Sequence, residues 1–113
     1  REVLVKYLED LDYEVEAADD GEMAIDLFME SEEGFYKAIL MDIDMPIMNG
    51  YQATLMIRGL NRSDNDIPII AMTANVFSED RDKAKKVGMD GYLTKPLKME
   101  CLENMLKSWI EDK

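Results

Sequence analysis

Two unbroken apolar runs, AILMD at 38–42 and IPIIAMTA at 67–74, are too short for helices and lack the polar alternation of a strand with one wet face. They read as strands covered on both sides. Around them the chain alternates helical and extended patterns, with no internal repeat or low-complexity tract. Residues 2–11 place Leu4, Tyr7, Leu8 and Leu11 on one helical face, and YEVEAA at 13–18 alternates as a short strand. The spacing predicts a helix over 20–34 with Ala24, Leu27 and Phe28 inward and Gly34 as its stop. NGYQATLMIRGL at 49–60 is helical again, followed by the polar loop NRSDND. Pro68 stands at the entry of its strand, where a missing N–H is tolerable. A helix over 78–87 begins with Glu79 and Asp80 and ends with Lys83, Lys85 and Lys86, charges that suit its macrodipole, before Gly88 stops it. GYLTKP at 91–96 is a last short strand, and 98–113 is an amphipathic helix burying Leu102, Met105, Leu106, Trp109 and Ile110. Such alternation specifies an α/β fold in which βα units wind a mainly parallel sheet with helices on both faces.

With 113 residues, 47% of them hydrophobic, the chain fits one domain, 1–113, around one core. Its formal charge of −12 would be repelled by nucleic acid or an anionic membrane, so neither is an expected partner. No apolar stretch approaches a membrane span and no basic-then-apolar leader opens the chain, which makes the cytoplasm the expected location. Cys101 stands alone and reads as a half-buried helix residue rather than a reactive thiol. The ten methionines, among them Met45, Met48 and Met72, read mostly as core fillers. Histidine is absent, which removes Ser-His-Asp and Cys-His catalysis, histidine-bound zinc and imidazole acid–base chemistry. Carboxylates, lysines and hydroxyls must carry whatever chemistry exists.

In open parallel sheets ligands gather beyond the carboxyl ends of the strands. Three predicted strand ends carry reactive groups: Asp42 with Asp44, Thr73, and Thr94 with Lys95. If those strands are neighbours, a carboxylate, a hydroxyl and an ammonium converge on one edge. Each has an ordinary structural reading, Asp42 as a helix cap, Thr73 as a β-branched strand residue, Lys95 as a solvated cation. Together they are the parts needed to place a phosphoryl group on an aspartate: nucleophile, hydrogen-bond donor and counter-charge, with a divalent metal to offset the concentrated negative charge.

The segments LMDIDMPIMNG, IIAMTAN and GMDGYLTKPL, in this order and spacing, resemble the receiver domains of two-component response regulators and hybrid sensor histidine kinases, and the resemblance covers essentially the whole chain. It implies a flavodoxin-like doubly wound sheet of strand order 2-1-3-4-5. It also implies that Asp42 is the phosphoacceptor, Thr73 the switch hydroxyl, Lys95 the pairing cation and Tyr92 the aromatic switch position. Mg²⁺ is the implied cofactor, held by the Asp42 carboxylate and the Asp44 backbone carbonyl. Asp44 and Asn75 match variable positions that tune dephosphorylation, and the Lys95–Pro96 bond is implied to be cis. The implied partners are a histidine kinase or histidine phosphotransfer domain as donor, and a downstream effector on the face made by the fourth helix, the last strand and the final helix. A homodimer is compatible with the resemblance.

The family opens with a central strand ending in a metal-binding acidic pair, and this chain starts at the first helix. Either a leading segment precedes Arg1 in the parent protein, or the domain lacks that strand and its acidic pair. Asp19 and Asp20 are not substitutes, because DDG reads as a helix start. Two rival functions remain: a pseudo-receiver that binds partners without phosphorylation, and a haloacid-dehalogenase-type phosphatase using the D-x-D of DIDMP as nucleophile and general acid.

Overall fold

A computed structural model describes residues 2–11, 13, 16, 20–43, 48–73, 78–95 and 97–111, with the side chains of 2–4, 78–80 and 110–111 outside the description. In chain order the elements are α1 (Glu2–Asp10), α2 (Gly21–Glu30), β1 (Ile39–Asp42), α3 (Gly50–Arg58), β2 (Ile69–Thr73), α4 (Ser78–Val87), β3 (Gly91–Thr94) and α5 (Met99–Leu106), the last continuing as a π-helical turn over Lys107–Glu111. Among the described residues the sheet has three strands in the order β1-β2-β3. Both pairings are parallel, Ile39 facing Ile69 and Ile70 facing Gly91, with α3 and α4 as the crossovers. Of the alternating stretch 13–18, Tyr13 and Glu16 are described and neither lies in a strand.

The period of two along each strand divides the core between two faces. Ile39, Met41, Ile69, Ala71 and Tyr92 turn to one face, where Ile25 and Phe28 of α2, Ala53 and Ile57 of α3, and Ala84 of α4 pack. Leu40, Ile70 and Leu93 turn to the other, against Leu8 of α1 and Leu102 and Leu106 of α5. Helices therefore cover both sides, as the unbroken apolar runs require. Met105 and Trp109 pack partly buried on the second face.

Local corrections to the sequence reading have physical causes. Helix α2 ends at Glu30, not at Gly34, because the Ser31 N–H and hydroxyl both bond the Phe28 carbonyl and Arg62 reaches in to take the next ones. Its buried face is Gly21, Ile25 and Phe28, leaving Ala24 and Leu27 half-buried. Cys101 is exposed rather than half-buried, since Leu102 and Leu106 fix which side of α5 meets the sheet. Met41, Met72 and Met89 are core residues as expected, but Met23, Met29 and Met56 are exposed. Met45 and the side chains of Leu4 and Ile110 lie outside the described residues.

Two arginines fasten the edge of the sheet where the strands begin. The Arg58 guanidinium donates to the carbonyls of Asn65 and Ile67 at 2.7 Å, to Gly88 O at 2.7 and 3.0 Å, and to Asp90 Oδ2 at 2.9 Å. Asp90 Oδ2 in turn accepts from the Ile69 N–H. Gly88 stops α4 with a φ of +106°, which an L side chain rarely adopts. Arg62 lies over the Phe28 ring at 4.5 Å, donates to the carbonyls of Phe28 and Ser31 at the end of α2, and pairs bidentately with Asp64. Hydrogen bonding to Arg62 holds the Asp64 carboxyl below its ordinary value.

Tyr36 stacks near Phe28 and bonds Glu16 through its hydroxyl. Burial first, and then that bond, push its pKa up to about 12 from an ordinary 10. The raised value favours the protonated phenol in the folded state, so its contribution is complete below pH 10 and is lost as pH rises through about 12. The denaturation midpoint should therefore fall across this alkaline window, and Tyr36→Phe should flatten that limb. An identical slope in the variant would contradict the assignment.

Candidate functional site

Parallel register brings the three strand ends to one edge. Asp42 closes β1 opposite Met72, and Thr73 closes β2 opposite Thr94 of β3. The ladder extends past both outer strands: the Ile43 N–H bonds Met72 O at 3.0 Å and the Lys95 N–H bonds Thr73 O at 2.8 Å. Asp42 and Lys95 thus stand two strands apart, roughly 10 Å between backbones at ~4.8 Å per strand. The Lys95 side chain bridges that gap across the end of β2, and its Nζ lies 2.7 Å from Asp42 Oδ2. Both side chains are about one-third exposed, 36% and 34%, so the pair is open to water and to an incoming group. An exposed pair of this kind adds little to stability, of order 0–1 kcal/mol, which leaves its chemistry as the reason to notice it. Thr73 is 1% exposed at the end of the strand being bridged.

The chain leaving Asp42 is clasped by close backbone contacts. The Gly50 N–H bonds Ile43 O at 3.2 Å, and a Cβ on Gly50 would fall 2.8 Å from Asp42 O. Only glycine permits that approach. The Gly21 N–H bonds Met48 O at 3.0 Å, so the first turn of α2 also holds this segment. Asn49 caps α3 in a reciprocal box with Gln52, and Asp20 caps α2 by accepting from the Met23 N–H at 2.8 Å. The capping role of Asp20 agrees with DDG as a helix start.

Tyr92 lies on β3 opposite Ala71, half-buried against the α2–α4 face, with the Arg81 guanidinium carbon 5.3 Å from its ring centroid. On the other flank of α4, Lys83 Nζ lies 4.6 Å from the centroid of Tyr51. Neither contact was legible from sequence, because each joins residues far apart in the chain. Asp44, Asn75 and the Lys95–Pro96 bond fall outside the described residues. Among the described residues no group of three or more His, Cys, Asp or Glu side chains could hold a metal ion. Of the expected magnesium ligands, the Asp42 carboxylate is described and 34% exposed, and Asp44 lies outside the described residues. No helix among the described residues is long and apolar enough to cross a membrane.

A family model described as the response regulator receiver domain matches residues 1–107. The chain is 35% identical over 113 residues to the peroxide stress-activated histidine kinase mak2 of Schizosaccharomyces pombe, covering 97% of this chain and 5% of that protein. It is 38% identical over 101 residues to hybrid signal transduction histidine kinase I of Dictyostelium discoideum, covering 87% of this chain and 6% of that one. The chain therefore spans only about a twentieth of these relatives, 5% and 6% of their lengths. Among solved structures it is similar to the receiver domain of a sensor histidine kinase from Pseudomonas aeruginosa, which has a magnesium ion coordinated in its active site cleft. The TM-score is 0.85 at 38% identity, over 96% of this chain and 86% of that one. The chemotaxis protein CheY4 of Vibrio cholerae matches with a TM-score of 0.84 at 28% identity, over 96% and 87% of the two chains.

Proposed function

The chain belongs to the response regulator receiver domain family, with its flavodoxin-like fold, and from that premise we propose that it takes a phosphoryl group onto Asp42 within a two-component phosphorelay. The observation that carries this reading is the 2.7 Å contact of Lys95 with Asp42 across the end of the Thr73 strand.

In the proposed step an Asp42 carboxylate oxygen attacks the phosphorus of a phosphohistidine, the P–N bond breaks, and the imidazole departs with a proton. The histidine belongs to a kinase or phosphotransfer partner, because this chain has none. Lys95 moves its charge from the unphosphorylated Asp42 carboxylate to the phosphoryl oxygens, and the Thr73 hydroxyl donates to one of them. Tyr92 repacks as Thr73 is drawn in, and the face formed by α4, β3 and α5 then meets an effector differently. Magnesium, the proposed cofactor by likeness to the Pseudomonas receiver, would screen negative charge on the transferring group, with Asp42 as its ligand among the described residues. Residues 1–113 are proposed to act as one receiver domain in the cytoplasm, as a switch rather than a turnover enzyme.

The test is incubation of the intact protein with acetyl phosphate and magnesium, followed by mass spectrometry. The expected product carries one added phosphoryl group that alkali removes, as an acyl phosphate requires. No mass gain would favour a pseudo-receiver, and repeated hydrolysis of an added phosphomonoester would favour a phosphatase.

A further inference from the structure

We propose that Arg81 is a positioning residue for the phosphoacceptor site, acting through the ring of Tyr92 to set how readily Asp42 accepts a phosphoryl group. The inference rests on the reading of Asp42 as acceptor and concerns the regulation of that site.

Helix α4 has little apolar hold on the domain. Among its described side chains Ala84 is buried and Val87 half-buried, while Arg81, Asp82, Lys83, Lys85 and Lys86 are exposed. Its charged side chains instead lie over aromatic rings on both flanks, Arg81 on Tyr92 of β3 and Lys83 on Tyr51 of α3. Each ring is close in sequence to one half of the site. Tyr92 precedes Lys95 on the same strand and its loop, and Tyr51 follows Gly50, whose backbone abuts the Asp42 carbonyl.

The Arg81 contact accompanies the arrangement in which Lys95 pairs directly with the unphosphorylated Asp42 carboxylate. Phosphoryl entry must open that pair. A displacement of Tyr92 that accompanies the opening takes its ring away from the guanidinium and forfeits the attraction. Arg81 therefore biases the domain toward the form with Lys95 on Asp42. An exposed cation over a tyrosine has an effect corresponding to roughly two- to fivefold in an equilibrium.

The test is the rate of phosphoryl uptake from acetyl phosphate in the intact protein. Arg81→Met, which keeps the aliphatic stem and removes the cation, should raise the rate roughly two- to fivefold. Arg81→Lys should restore the wild-type rate. In a Tyr92→Leu background Arg81→Met should have no effect, whereas with Tyr92→Phe, which keeps the ring, the effect should persist. A loss of helix packing alone would not depend on the ring at position 92. An unchanged rate in Arg81→Met, or a change that survives Tyr92→Leu, overturns the proposal while leaving Asp42 as acceptor. Absence of uptake in the wild-type protein overturns both.

Discussion

Asp42→Asn is expected to take up no phosphoryl group from acetyl phosphate under conditions expected to load the wild-type protein, and to keep its fold. The amide matches the carboxylate in size but has no anionic oxygen to attack phosphorus, so the acyl phosphate does not form. The loss should be complete at the sensitivity of intact-mass analysis, because the chain has no histidine to take the group instead. Stability should barely change. Asp42 and Lys95 are both about one-third exposed, 34% and 36%, and the neutral side-chain oxygen still accepts from Nζ, so the cost is about 1 kcal/mol or less. Circular dichroism and a thermal midpoint within a few degrees of wild type would establish that the fold is intact. Undiminished labelling in the folded variant would remove Asp42 from the mechanism.

Arg58→Met should have the largest effect on stability. The guanidinium joins the end of α3 to the loop before β2 and to the turn between α4 and β3, through the carbonyls of Asn65, Ile67 and Gly88 and the carboxylate of Asp90. Methionine keeps most of the stem but leaves those acceptors without their charged donor at a site only 21% exposed. Hydrogen bonds to charged groups are worth about 1.5–3 kcal/mol each and are not additive, so a total of about 3–5 kcal/mol is expected. That is a large share of the 5–15 kcal/mol typical of a whole domain. Urea denaturation should show a lower midpoint with an unchanged slope. A shift under about 1 kcal/mol would show that water replaces these bonds freely.

The elements were largely legible because each declares itself locally. The helix over Ser78–Val87 carries its own acidic start, basic end and glycine stop, and the apolar runs ending at Asp42 and Thr73 can only be strands covered on both faces. The convergence of Asp42, Thr73 and Lys95 followed from parallel order, which makes every strand end on the same edge. The two arginine clamps were not legible. Arg62 sits in NRSDND, a stretch that reads as a polar loop, yet it bonds carbonyls 31 and 34 residues away. Helical and strand periodicities carry no information at that separation. The same blindness misplaced the end of α2, since SEEG continues a polar helical pattern and only the bonds to Ser31 and Arg62 stop the helix sooner.

The clamp at Gly88 also makes the two ends of α4 unlike in how they are held. Its far end is moored by the Arg58 guanidinium and by a glycine of positive φ, whereas the end near the site rests on ring contacts at residues 81 and 83. If α4 turns as a rigid rod about that mooring, displacement would be smallest at Val87 and would grow toward Ser78, so a slight change beside Asp42 and Lys95 would be enlarged at the outer surface of the helix.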